Sequence, residues 1–221
     1  MYTHSKDYKE NITPEIALQI LEEGNKRFIQ NLKSNRDLLE QVNATAAGQS
    51  PFATILSCMD SRTSAELIFD QGLGDIFSIR IAGNVLNEDI LGSMEYATKV
   101  IGTKLILVLG HTRCGAIMGA CDGVRLGNLT QLLQKIEPAI QSEMHTREHR
   151  NATNADFVKN VTELNVINTM ERIRSESGII SDLEKEGSIR IVGGIYDVET
   201  GKVDFLEMTS EKNLQPLSGY L

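Results

Sequence analysis

The sequence predicts an α/β fold: a short, mainly parallel β-sheet flanked by α-helices, with an N-terminal helical arm. Two observations predict it. Three short runs, 52–57, 76–82 and 104–109, are rich in apolar residues without strict alternation, as strands covered on both faces are. Between them lie stretches with helical spacing and helix-terminus residues, so strand and helix alternate through the middle of the chain. The 221 residues, 41% hydrophobic and 24% charged, are enough for a full buried core. No internal repeat or long Pro/Gly/Ser linker divides them, so 1–221 is expected as one domain.

Taken in order, Thr13 can cap a first helix, with Pro14 in its opening position and Glu15 beside the positive end of its dipole. Ile16, Ile20, Leu21, Phe28 and Leu32 recur at helical spacing, so 14–33 is expected as one amphipathic helix. Its apolar face is more than a lone subunit covers readily, which points to a homo-oligomer, a dimer or a tetramer. The polar stretch Lys33 to Ser50 is expected to wrap over a surface or a partner. Phe52 to Ser57 follows Pro51 as a buried strand, and Ser64 to Gln71 is helical up to Gly72. Ile76 to Ala82 is the second strand. Asn87, Glu88 and Asp89 open a helix that carries Ile90, Leu91, Met94, Ala97 and Ile101 and closes at Gly102. Lys104 to Leu109 is the third strand.

Beyond Gly123 the spacing predicts a helix over about 128–144, bent at Pro138, and another over 155–176 behind the cap residue Asn154. Glu143 to Asn154 is polar and expected to be exposed. Ser188 to Gly193 is the last core strand, and Ile195–Asp197 with Lys202–Leu206 flank a Glu-Thr-Gly turn as an edge hairpin. Gly193-Gly194 marks a bulge or a close backbone approach, since no helix start follows to make a phosphate loop.

Composition removes several functions. With 22 basic and 30 acidic residues the net charge is −8, which repels nucleic acid and anionic membranes. No apolar run approaches the roughly 20 residues of a spanning helix, and Met1 to Asn11 lacks the apolar core of a secretory signal. Three cysteines allow at most one disulfide and suit a reducing compartment. A cytoplasmic protein with neither nucleic-acid nor membrane partners is expected.

The chemistry gathers at two strand ends. Cys58 follows the first strand in Ser57-Cys58-Met59-Asp60-Ser61-Arg62, and His111 and Cys114 follow the third in Gly110-His111-Thr112-Arg113-Cys114-Gly115. Neighbouring parallel strands bring their carboxyl ends together, where sites form in open sheets. Two thiolates and an imidazole suit zinc, and three protein ligands leave the fourth position open, as in catalytic sites. Either cysteine alone reads more simply as a small core residue; the paired motifs at matched strand ends favour the metal. Asp60 and Arg62 can project beside it and pair, the arginine keeping the carboxylate ionised and off the metal. Cys121, two helical turns beyond Cys114, reads as a buried small hydrophobe, and His4, His145 and His149 as solvated.

The Cys-x-Asp-x-Arg and His-x-x-Cys-Gly pair resembles the β-class of carbonic anhydrases. The likeness extends along most of the chain. Glu23 to Phe28 is similar to the family's N-terminal helix, which packs on a neighbouring subunit, so the arm spans about 1–50. Gln49 matches a glutamine contributed across the dimer interface to bicarbonate. Phe77 and Tyr96 match positions that line a small apolar pocket, Ala82 falls where other members carry valine, and Gly115 matches the glycine whose N–H faces the bound anion. The resemblance implies one zinc per chain, held by Cys58, His111 and Cys114 in a core over about 51–123, with 124–221 supplying helices, a last core strand and the hairpin. It implies reversible hydration of carbon dioxide to bicarbonate and a proton by attack of zinc-bound hydroxide, with Asp60 and Arg62 as catalytic residues. It also implies that Asp60 can become a fourth ligand in a closed form. A tryptophan before the first cysteine helps build an inhibitory bicarbonate pocket in some members; this chain has no tryptophan, so that pocket is expected to be absent or remodelled. Hydrolysis of carbon disulfide or carbonyl sulfide on the same ligands, and a non-catalytic zinc-stabilised interaction module, are the alternatives.

Overall fold

A computed structural model describes residues 11–207 and 215–216. Four strands, β1 (Ala53–Ser57), β2 (Ile76–Arg80), β3 (Leu105–His111) and β4 (Arg190–Tyr196), run parallel in the order β2-β1-β3-β4. Two antiparallel strands, β5 (Val203–Glu207) and β6 (Gln215–Pro216), extend the β4 edge. The expected hairpin is the β4–β5 pair. Nine helices are described: α1 (Pro14–Ile29), α2 (Leu38–Thr45), α3 (Ala65–Ile68), α4 (Glu88–Glu95), α5 (Gly115–Cys121), α6 (Gly127–Gln134), α7 (Glu137–Ser142), α8 (Ala155–Glu176) and α9 (Gly178–Lys185). None of them is long and apolar enough to cross a membrane.

Alternation along each strand divides the core, because successive side chains point to opposite faces. Ile55, Leu107 and Leu109 pack with Ala17, Leu18 and Leu21 of α1 and with Phe69. Leu56, Ile106 and Val108 pack on the other face with Met94 of α4, Val166, Met170 and Ile173 of α8, and Ile180 of α9. The two central strands, β1 and β3, are therefore buried at every position and mostly apolar, which is the unalternating pattern seen in the sequence. A third cluster (Ile117, Leu133, Ile136, Phe157 and Val161) gathers around Cys58 and Cys114. Gly193 is a close backbone approach rather than a bulge: a Cβ there would lie 2.8 Å from both Val166 Cγ1 and Met170 Sδ of α8.

Several boundaries differ from expectation, each for a local reason. The Thr13 hydroxyl caps α1 as expected, but the helix stops at Ile29, followed by Asn31 in the left-handed region (φ 55°). The polar stretch 33–50 contains α2, capped by Asp37; only its Gln41 is buried, and Gln41 Oε1 accepts the Leu73 N–H at 3.1 Å. The helix in 64–71 is a single turn, α3. Helix α4 widens into a π-type turn over Tyr96–Ile101, ended by Gly102 at φ 86°. The stretch 128–144 is two helices, with Pro138 in the first turn of α7 where its missing N–H costs nothing. Strand β3 runs on to include His111, and β4 extends to Tyr196.

The expectation that 143–154 is exposed fails at Glu143, whose side chain is fully buried. Burial works against its charge, yet Asn160, Thr146 and Arg150 hydrogen bonds outweigh it and keep the carboxyl below its ordinary pKa. Arg150 Nη1 reaches Glu143 Oε2 at 2.6 Å, so the carboxylate ties the loop to α8 through Asn160.

Candidate metal centre

Strands β1 and β3 are hydrogen-bonded neighbours, with Ser57 opposite Leu109. The next residue after β1 is Cys58, the last residue of β3 is His111, and Cys114 caps α5. All three are buried, and their ligand atoms lie within 4.8 Å of one another. The two sulfurs are 3.9 Å apart. A tetrahedral zinc bound at about 2.3 Å sets its sulfurs about 3.8 Å apart, so the pair has the right spacing before any metal arrives.

The histidine provides the test of fit. His111 Nδ1 lies 2.9 Å from the Thr112 carbonyl, so the proton sits on Nδ1 and the Nε2 lone pair is free. That Nε2 is buried with no hydrogen-bond partner. A buried acceptor left unmade costs about 1–3 kcal/mol; ligation of a cation removes the cost. A carbonyl orienting the ligand imidazole is the usual support of a metal histidine.

The thiols respond to each other in the same sense. The Cys114 hydrogen bond favours a Cys58 thiolate against the cost of burial, and the N–H groups of Asp60 and Gly83, each 3.4 Å from the sulfur, favour it further. The resulting charge at Cys58, together with burial, pushes the Cys114 thiol up. One thiolate forms readily and the second is resisted; a divalent cation between them is what allows both.

Asp60 and Arg62 lie beside this group. Arg62 donates from Nε to Asp60 Oδ1 at 2.9 Å and from Nη2 to Oδ2 at 2.7 Å, and its backbone N–H donates to Oδ1 at 2.9 Å. These bonds hold the Asp60 carboxyl far below the ordinary carboxylate range. The loop is fixed from β2: Arg80 donates to the Cys58 carbonyl at 3.1 Å and to the Asp60 carbonyl at 2.6 Å, while the Thr63 hydroxyl lies 2.9 Å from each of those carbonyls. Ala82 opens the turn Ala82–Asn84 that brings the Gly83 N–H to Cys58. Gly115 is the first residue of α5, exposed, with nothing within 4 Å of the place a Cβ would occupy.

Three residues singled out in the sequence are not brought to the group within one chain. Phe77 pairs with Thr54, four residues before Cys58, which places it about 13 Å down the strand direction. Tyr96 begins the turn that leads into the start of β3, and Gln49 precedes β1; both are exposed. All three lie toward the amino ends of the strands, opposite the cysteines. Cys121 stands outside the group, half-buried, its thiol pushed up to about 11 by burial. His145 and His149 are exposed, and His4 lies outside the described residues. Sequence reasoning passed over Arg80, Thr63 and Asn165. The last left a faint trace: it is a polar residue among the buried positions of α8, which include Val161, Val166 and Met170 but also Thr162 and Thr169.

A profile of the family described as carbonic anhydrase matches residues 53–203. Carbonic anhydrase 2 of Mycobacterium tuberculosis is 35% identical over 198 residues, spanning 87% of this chain and 92% of that protein. Among solved structures, the β-carbonic anhydrase CcaA superposes with a TM-score of 0.66 at 27% identity, over 86% of this chain and 95% of that one. A Sordaria macrospora structure, one of two described as tetrameric β-carbonic anhydrases, superposes with a TM-score of 0.64 at 20% identity, over 80% and 91%; at that identity the likeness speaks to the fold.

Proposed function

Since the chain belongs to the β-class carbonic anhydrases, we propose that it hydrates carbon dioxide reversibly to bicarbonate and a proton, with one zinc held by Cys58, His111 and Cys114. The observation that carries the zinc reading is the buried, unpartnered Nε2 of His111 facing two cysteine sulfurs 3.9 Å apart. When bound, zinc supplies Lewis acidity that makes water a nucleophile near neutral pH, as at the three-histidine sites of other carbonic anhydrases, where the pKa of water falls to about 7.

The remaining work falls to the chain. Asp60, kept ionised and turned toward Arg62, accepts a hydrogen bond from the attacking oxygen and orients its lone pair at the carbon. Water and carbon dioxide give bicarbonate as a carbon–oxygen bond forms and one proton leaves to solvent. The backbone N–H of Gly115, at the positive end of α5, meets the charge that develops on the carbon dioxide oxygens. Ala82 leaves room beside Cys58 for a small substrate.

The pocket is completed by a second copy of the chain. Gln49, Phe77 and Tyr96 lie at the amino ends of the strands, and α2 turns Leu38, Leu39 and Val42 to solvent at 58%, 76% and 50% exposure. A homodimer, alone or paired into a tetramer, would bring these residues of one subunit to the metal group of the other and cover the apolar face. We place the protein in the cytoplasm, where free thiols persist.

Stopped-flow hydration with a pH indicator, run beside zinc analysis, tests the reading. One zinc per chain, with hydration abolished in Cys58→Ser, is the expected result. Zinc without hydration would leave the fold and remove the activity; hydration without zinc would remove the mechanism.

A further inference from the structure

The Cys58 sulfur accepts two backbone N–H groups, and they are supported differently. That of Asp60 comes from the same loop, two residues on. That of Gly83 comes from the turn after β2, at 3.4 Å, and needs Gly83 in the left-handed region at φ 68°. The following residue, Asn84, is left-handed as well, at φ 43°. One backbone bond closes this turn, from the Asn84 N–H to the Ile81 carbonyl at 3.0 Å, and the left-handed conformation of Asn84 is one the surroundings must support. The Gly83 carbonyl, however, accepts a hydrogen bond at 2.9 Å from Nδ2 of Asn165, which lies 82 residues away in the middle of α8 and is 3% exposed. A buried side-chain amide costs stability unless it is satisfied, and this is a bond that satisfies its donor side.

We propose that Asn165 is a positioning residue for the metal centre: by pinning the Gly83 carbonyl it aims the Gly83 N–H at the Cys58 sulfur. This rests on reading Cys58, His111 and Cys114 as the zinc site. The consequence is electronic. Two thiolates give a metal more negative charge than imidazoles do and blunt its acidity. Each N–H donated to a thiolate withdraws part of that charge, as hydrogen bonds to sulfur tune metal centres generally. Asn165, which touches neither metal nor substrate, thereby sets how electrophilic a metal in this site is.

The experiment replaces zinc with cobalt(II) and reads the thiolate-to-cobalt charge-transfer absorption, beside hydration turnover, in wild type, Asn165→Leu and Met170→Ala. Leucine matches asparagine in size and lacks the donor; Met170→Ala loosens the same helix without touching the Gly83 turn. In Asn165→Leu the band moves to longer wavelength, as a more electron-rich sulfur requires, and turnover falls about tenfold or more; in Met170→Ala the band stays in place. An unmoved band in Asn165→Leu, or an equal movement in Met170→Ala, overturns the proposal. Should Asn165→Leu fail to fold, Asn165→Ser, whose hydroxyl is too short to span the gap, is read by the same criteria. Absence of the band in wild type would overturn the metal-site reading itself, and this inference with it.

Discussion

Arg62 holds both carboxylate oxygens of Asp60, two residues before it, in a side-on fork of 2.9 and 2.7 Å. The carboxylate is thereby kept ionised and turned aside, and no oxygen of Asp60 joins the three ligand atoms of the metal group. The expected outcome of Arg62→Ala is a loss of hydration of about one to two orders of magnitude, with one zinc per chain retained. Thermal stability should barely move, because exposed ion pairs contribute little. Arg62→Lys keeps the charge and loses the two-pronged geometry, so it should recover only part of the activity. Turnover equal to wild type in Arg62→Lys would show that charge alone suffices.

Separation of Gln49, Phe77 and Tyr96 from the metal group gives a test that needs no structure of an oligomer. If Gln49 serves a partner's site, Cys58→Ser chains still donate Gln49 and Gln49→Ala chains still hold zinc. Each variant alone should be nearly inactive. Unfolded together and refolded in equal amounts, they should regain about a quarter of wild-type hydration, since half the dimers are mixed and one of two sites in each is intact. No recovery on mixing, with light scattering confirming exchange, would place Gln49 in its own subunit's site or outside any site.

What the sequence disclosed and what it hid divide on physical lines. The sheet was legible because its central strands, β1 and β3, are buried on both faces, and the metal group because ligands at two strand ends must meet when those strands pair. Helix α2 was not legible: its apolar Leu38, Leu39 and Val42 face outward, so its pattern does not follow the core of the chain. Glu143 was misread because composition reports how polar a segment is, not whether Arg150, Thr146 and Asn160 will converge on one carboxylate. Phe77 and Tyr96 were singled out only through resemblance; the separation of Phe77 from Cys58 is set by its register with Thr54, a property of the folded sheet.

Asp70 gives the acid side of stability. It is 2% exposed, receives Arg27 Nε at 2.5 Å, a second bond from Arg36 and the Ser34 hydroxyl, and so fastens α1 and the segment after it to the turn after α3. Burial alone would raise its pKa, but the two arginines and the Ser34 N–H more than reverse this and the net shift is downward. A depressed folded-state pKa means that the unfolded chain binds more protons, so this stabilisation is full above about pH 4, the unfolded value, and drains as pH falls through the folded one. Asp70→Ala should cost about 3–5 kcal/mol at neutral pH by stranding its arginines, measured by urea unfolding. Its stability should also fall less steeply than wild type's between about pH 4 and pH 2. Parallel curves for the two proteins would remove Asp70 from the acid response.

Val166 of α8 sits over glycines of two adjacent strands. A Cβ on Gly110 of β3 would come 2.7 Å from its Cγ2, and one on Gly193 of β4 would come 2.8 Å from its Cγ1. Met170 also stands 2.8 Å from the Gly193 position, but its thioether can swing away, whereas a β-branched side chain packed on a helix cannot. Gly193→Ala should therefore destabilise by about 1–3 kcal/mol, the range of an overpacked core. Exposed Gly48, with nothing within 4 Å, should tolerate alanine at no cost or a small gain. The decisive comparison is the double variant: Val166→Ala opens a gap on its own and is destabilising, yet combined with Gly193→Ala the two costs should fall short of additive because each relieves the other. Because Asn165 precedes Val166, pushing α8 away from the sheet should also lengthen the Asn165–Gly83 bond and lower hydration, and both losses should recover together in the double variant. Stability that recovers without activity would mean that the position of α8 over β4 does not govern the metal centre.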